Sequence, residues 1–105
     1  MSLKLIEIKK STRPNKRLMA IFSKDDKKIT RHFGFRTSET GKTGSTFIDH
    51  KDPKKKNAYI ARHKVNEEEF WRTKPEAPAT LSRFILWNKP TLQASIKDYK
   101  KRFKI

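Results

Sequence analysis

Apolar and polar residues alternate at the period of β-strands in the first third of the chain. Three such runs, Lys4–Lys9, Lys16–Ser23 and Lys28–Phe35, are separated by short segments rich in turn-forming residues. Connections this short join antiparallel neighbours. The pattern therefore predicts a three-stranded meander with one apolar face and one face in contact with water.

One face of the third strand offers two interpretations. Ile29, Arg31, Phe33 and Phe35 fall on the same side of that strand. The two phenylalanines are expected in the core of a small sheet. Exposed rings beside an arginine would instead suit the stacking of single-stranded bases.

In the middle of the chain the alternation stops, and short sequence motifs instead indicate a strand and the ends of helices. A polar loop over 37–45 leads to a brief expected strand at Thr46–Ile48. Asp52 followed by Pro53 predicts an N-capped helix that ends near His63. Asn66, followed by three glutamates, predicts the start of a further short helix.

Two amphipathic helices are predicted in the last quarter. The first covers Ala79–Trp87, and the second runs from Thr91 to about Phe103 with an apolar stripe at helical spacing. The fold class predicted is α+β, in one domain over residues 1–105. A small N-terminal antiparallel sheet of about three strands is packed by two to three C-terminal α-helices.

The net charge of the chain limits the kinds of function that it can have. The 105 residues include 27 Lys+Arg and 11 Asp+Glu, a formal net charge of +16. Such a charge destabilises a folded chain by self-repulsion, and an acidic partner relieves it. Acidic and basic residues balance over 67–91, so the excess lies on either side of that segment.

Composition also excludes several chemistries. There is no cysteine, which excludes disulfides and thiolate metal sites. No apolar run approaches transmembrane length, and the first ten residues lack the apolar stretch of a signal peptide. We expect an intracellular or particle-enclosed protein with no membrane partner, no cofactor and no metal site.

The basic side chains are the candidate functional residues. Lysine outnumbers arginine, and lysine suits phosphates better than base edges. Nucleic-acid binding with little sequence preference is therefore predicted. The residues predicted to contact nucleic acid are Arg13, Lys16, Arg17, Lys27, Lys28, Arg31, Lys54, Lys55, Lys56, Lys97, Lys100, Lys101 and Lys104.

Two other patterns partly match motifs for phosphate binding and for metal-dependent catalysis. Gly41-Lys42-Thr43 matches the end of a phosphate-binding loop, but Arg36 stands where that motif needs glycine, so a polar loop is expected. His50, Asn57 and His63 could hold a divalent metal for phosphodiester cleavage. Asn57 and His63 fall on nearly opposite helix faces, however, and enzymatic activity is not expected.

Six segments together carry a family resemblance. They are Ser11–Pro14, Phe33–Gly34, Thr46–Pro53, Tyr59–His63, Leu81–Leu92 and Ser95–Phe103. The chain resembles a family of small, basic, uncharacterised proteins encoded by large double-stranded DNA viruses of algae and protists, and by some algal genomes. It departs from that family in a longer Arg36–Ser45 loop and in the Glu67–Phe70 segment.

The resemblance implies a viral setting without an established activity. The leading hypothesis is a non-catalytic protein that neutralises nucleic-acid phosphates, with DNA favoured over RNA. The alternative is a minor structural virion protein that binds acidic capsid surfaces, and a metal-dependent nuclease comes third. The expected location is the nucleus or viral factory of an infected cell, or the inside of the virion.

Overall fold

Three antiparallel strands form the N-terminal half of the fold. The computed structural model describes residues 3–37, 40, 42 and 45–105. Strands β1 (Leu3–Lys10), β2 (Lys16–Lys24) and β3 (Lys27–Phe35) are ordered β1-β2-β3 in one sheet. The predicted meander is confirmed, with a bulge between Leu5 and Glu7.

The turn between β2 and β3 has only two residues, Asp25 and Asp26. Both have positive φ, 50° and 67°. A two-residue hairpin needs left-handed backbone because only that twist matches the twist of the strands, and aspartate tolerates it better than most residues.

A short helix replaces the strand expected at Thr46–Ile48. Helix α1 covers Phe47–His50, and the Asp49 carboxylate accepts hydrogen bonds from the Thr46 N–H and hydroxyl, both at 2.8 Å. This capping box satisfies backbone donors that a strand would need to pair elsewhere. The strand prediction was therefore wrong.

A single long helix replaces the two short ones expected around His63 and Asn66. Helix α2 runs from Pro53 to Thr73, and Asp52 caps it by accepting from the Lys54 N–H at 2.9 Å. The predicted start is confirmed, whereas the predicted break is wrong. A hydrogen bond between His63 and Glu67 and an ion pair between Lys64 and Glu68 cross the expected break at i,i+4 spacing, which favours continuous helix.

The last two helical segments lie where the sequence predicted them, but the first, predicted as one α-helix, is π-helical over Ser82–Leu86. Helix α3 (Pro78–Leu81) continues directly into a π-helical segment (Ser82–Leu86), and α4 covers Leu92–Phe103. The Thr91 side chain caps α4 by accepting from the Ala94 N–H. No helix in the described part of the chain has the length and apolar character needed to cross a bilayer.

The core lies between the sheet and the helices. The sheet contributes Leu5, Ala20, Phe22 and Phe33; α2, α3, the π-helical segment and α4 contribute Trp71, Leu81, Phe84, Ile85, Leu86 and Tyr99. Phe33 is in the core as expected, but Phe35, the last residue of β3, is 66% exposed. The expectation that Phe35 is a core residue was wrong.

Candidate nucleic-acid interface

Among the residues that the structure describes, one face of the sheet contributes no side chain to the core between sheet and helices. Strand pairing aligns its residues in three rows, and we call these nine residues the open face: Lys4, Ser23 and Lys28; Glu7, Ile21 and Thr30; Lys9, Met19 and His32. None of the nine belongs to the hydrophobic core cluster. Only Met19 among them is buried, and it is flanked in its row by Lys9 and His32.

The lysines of the open face lie on its two outer strands. Lys4 and Lys28 are exposed at the ends of one row, about 10 Å apart because two strand spacings separate them. Lys9 pairs with Glu7 at 3.1 Å, but both side chains are about half exposed, and such a pair contributes little. The Lys9 ammonium can therefore exchange Glu7 for a phosphate at small cost.

His32 marks the more positive end of the open face. Its Nδ1 lies 2.7 Å from the Ser11 hydroxyl, which also accepts from the Arg13 N–H. Desolvation lowers the pKa of His32, and the positive charges of Arg13 and Lys16 lower it further. Protonation of His32 thus costs folding energy, and this cost grows as the pH falls below about 6.5, the ordinary histidine pKa.

The predicted contact residues are spread over several parts of the surface. Lys28 is in the open face, Arg13 and Lys16 lie at its His32 end, and Lys27 lies at the hairpin end. Arg31 points to the other side of β3, in register with Ala20. The remaining exposed members are on helices: Lys54 and Lys55 on α2, and Lys97, Lys100 and Lys101 on α4, followed by the α4 C-cap Lys104.

Arg17 is partly buried and its guanidinium is engaged by α1. Its guanidinium donates to both carboxylate oxygens of Asp49, each at 2.8 Å, and to the Thr46 hydroxyl at 3.2 Å. The hydrogen bond from Arg17 holds the pKa of Asp49 far below its usual range. Arg17 therefore fixes α1 to β2, and the proposal below does not use it.

Lys56 is also held by contacts within the protein. Its ammonium donates to the Asn88 carbonyl at 2.7 Å and lies 5.0 Å from the centre of the Phe47 ring. Desolvation lowers the pKa of Lys56, and the nearby charges of Arg83 and Lys89 add to this. Lys56 joins α2 to the segment after the π-helical residues, which makes it a structural residue.

Two lysines of the open face are not among the contact residues predicted from the sequence. Lys4 and Lys9 flank the apolar positions Leu5 and Ile8 of β1, but the strand period alone would put residues five apart on opposite faces. The bulge between Leu5 and Glu7 puts both lysines on the same face despite their odd spacing. No pattern in the sequence marks that bulge.

The histidines of the nuclease hypothesis are not brought together. The rings of Tyr59 and Trp87 stack in parallel with centroids 4.4 Å apart. His63 stacks on Tyr59 at 4.2 Å, and His50 contacts Trp87 at 5.4 Å, so two rings stand between the histidines. Asn57 is exposed, and the described residues contain no cluster of three side chains able to hold a metal.

A cavity of about 420 Å³ opens where the sheet ends beside this aromatic stack. Its lining includes Phe35, Lys16, Tyr59, His63 and Trp87. The imidazole Nδ1 of His63 lies 2.8 Å from a carboxylate oxygen of Glu67, which also lines the cavity. Of the predicted Gly41-Lys42-Thr43 motif, only Lys42 lies within the described residues.

Comparison with known proteins identifies a family for the first part of the chain. Residues 6–63 match the model of a family of unknown function, DUF5754. The match covers most of the sheet and the first half of α2, but not the Leu81–Phe103 region, so the viral resemblance stays a prediction. No curated protein and no solved structure gives a significant match. Because the matched residues are more than half of the 105, the chain belongs to the DUF5754 family.

Proposed function

We propose that this protein binds nucleic acid without catalysing a reaction, by holding phosphates on the open face and at its His32 end. The main support for this proposal is the composition of the open face. It is an uncovered sheet surface with Lys4, Lys9 and Lys28 exposed and with Glu7 as its one carboxylate. Lysines on such a surface can contact successive phosphates without distorting the fold.

The cations at this surface are available to a ligand. Within the described ranges, no carboxylate lies at ion-pair distance from Lys4, Lys28, Arg13 or Lys16. A bound polyanion would therefore replace water and counterions rather than an existing protein contact. Release of those counterions is the main source of affinity in phosphate binding.

The mode of binding follows from the residue types. Lysine is a flexible point charge, and it does not form the paired hydrogen bonds by which arginine recognises guanine. The proposal is accordingly for binding with little sequence preference. DNA is preferred over RNA only through the viral resemblance, which also suggests an infected cell or a virion as the setting.

The test compares two variants that remove the same charge. Lys4→Gln/Lys9→Gln/Lys28→Gln changes the open face, and Lys97→Gln/Lys100→Gln/Lys101→Gln changes α4. Affinity for random duplex DNA is measured against salt concentration. The open-face variant should lose about 100-fold at 0.1 M salt and reduce the log–log slope by two to three, since each lost phosphate contact removes about 0.9. The α4 variant should change both quantities much less.

Three outcomes would overturn the proposal. Absence of binding at about 50 mM salt, where phosphate contacts are strong, would remove nucleic acid as the ligand. Equal losses in both variants would show that overall charge binds rather than the open face. Competition by polyglutamate as effective as that by DNA of equal charge would favour acidic protein surfaces, such as those of a capsid.

A further inference from the structure

We infer that the 420 Å³ cavity beside Phe35 receives a single unpaired nucleobase, so that the protein prefers single strands over duplex. This inference rests on the proposed nucleic-acid binding and adds a second contact to it. The open face holds the backbone, and the cavity holds one base that leaves the stack.

The size and lining of the cavity suit a planar aromatic ligand. Its volume falls within the range of small-molecule sites, about 300–1,000 Å³. Phe35 is 66% exposed although it is a large apolar ring, and it lines the cavity together with the stacked rings of Tyr59 and Trp87. Every base has an apolar face that can stack on the exposed Phe35 ring, whatever its sequence identity. The faces of Tyr59 and Trp87 are already in contact with each other and with His63 and His50, so these two rings form the wall of the cavity.

Polar groups of the lining can meet the edge of a base. Asn15, Ser82 and Glu67 are among the lining residues, and the Glu67 carboxylate also contacts His63. The Arg36 guanidinium donates to the Pro14 carbonyl at 2.9 Å and so fixes the loop that carries Asn15. A few fixed polar groups among aromatic rings are typical of ligand sites.

Lys16 links the cavity to the open face. It lines the cavity, and its charge also acts on His32 in the last row of the open face. Lys16 pairs with Phe35 on the core side of the sheet, so a nucleic-acid strand on the open face must pass around the end of the sheet near His32 to place a base in the cavity, with Lys16 at that end. A base that is paired and stacked in a duplex cannot enter, because it must first leave the helix.

The test uses one exposed ring at the cavity and one elsewhere. Phe35→Ala removes the cavity ring, and Phe70→Ala removes the ring of Phe70, which is 45% exposed on α2 and outside the cavity lining. Binding is measured for a thymidine oligonucleotide, an abasic oligonucleotide of the same length and a duplex. Phe35→Ala should weaken binding of the thymidine strand about tenfold and leave the other two unchanged, as loss of one stacked base does. Phe70→Ala should change none of the three.

A second measurement uses Trp87, which lines the cavity. In a Trp71→Phe variant, where Trp87 is the one remaining tryptophan, its fluorescence should be quenched by the thymidine strand and not by the abasic strand. Equal affinity for both single strands, or equal weakening of both by Phe35→Ala, would overturn the inference while leaving phosphate binding intact. Failure of all three ligands to bind would instead overturn the proposed function.

Discussion

Gly34 lets the end of the sheet approach the helices. Its φ of +83° lies in the region that favours glycine. A Cβ at this position would lie 3.0 Å from the Arg17 Cβ and 3.0 Å from the Leu86 Cδ1. The missing side chain therefore allows Leu86 to pack on β3 next to the cavity.

We expect Gly34→Ala to lower the free energy of unfolding by about 2 kcal/mol, from the unfavourable φ and the two close contacts together. Urea denaturation measures the change. Thr30→Ala, an exposed position in the same strand, serves as the control and should cost less than about 1 kcal/mol. A Gly34→Ala cost no larger than that of the control would contradict the close approach.

At the scale of single residues, the sequence predicted exposure better than contacts. Most of the predicted basic residues are exposed, since charged side chains rarely become buried. Lys16, Arg17 and Lys56 are only partly exposed, and Arg17 and Lys56 each bind a residue 32 positions away in the chain. No local pattern can reveal partners at that separation.

At the scale of elements, the continuity of α2 has the clearest consequence. Between the buried Tyr59 and Trp71 most of its residues are exposed, so the packing that holds this stretch is concentrated at its two ends. The i,i+4 pairs of His63 with Glu67 and of Lys64 with Glu68 stabilise the exposed stretch. Asn66 lies between them, inside the helix rather than at its start.

Substitution of Asn66 by alanine changes the free energy of unfolding with opposite signs in a continuous helix and in a broken one. Within a continuous helix, Asn66→Ala should raise the free energy of unfolding by about 0.5 kcal/mol, because alanine has the higher helix propensity. At an N-cap it would lower this energy by about 1 kcal/mol, the effect expected for the control Asp52→Ala. Thermal or urea denaturation of both variants measures the difference, and destabilisation by Asn66→Ala would mean that α2 is interrupted.

The elements best predicted were those with a sustained period. The three strands and α4 were located within a residue or two, since their apolar faces pack on the core that their own pattern defines. Helix α1 has too few residues for a period. Its capping box, Thr46 followed by Asp49, was the signal that could have identified it.

At the scale of the whole molecule, repulsion among the cations opposes folding. The described residues form five ion pairs of Lys or Arg with a carboxylate, against a net charge of +16. Three of the five join side chains that are both about half exposed or more, and such pairs contribute little. Added salt screens this repulsion, because the Debye length falls from about 30 Å at 0.01 M to about 8 Å at 0.15 M.

We therefore expect the unfolding temperature to rise as sodium chloride increases from about 0.01 to 0.15 M. A gain of about 1 kcal/mol corresponds to roughly 5 °C for a domain of this size. The Lys4→Gln/Lys9→Gln/Lys28→Gln variant should show a smaller rise, since it carries less charge. A fall in unfolding temperature with salt would mean that attractive ion pairs outweigh the repulsion.

The sequence by itself determined the fold class, the meander, the two ends of α4 and the excess of positive charge. Each of these depends on residue type or on neighbours within a few positions. The tertiary structure decided which sheet face stays uncovered, which cations are already bound, and that Phe35 lies at a cavity with Tyr59 and Trp87. These features arise where segments far apart in the chain pack together, and the residues of one segment do not encode the position of the other.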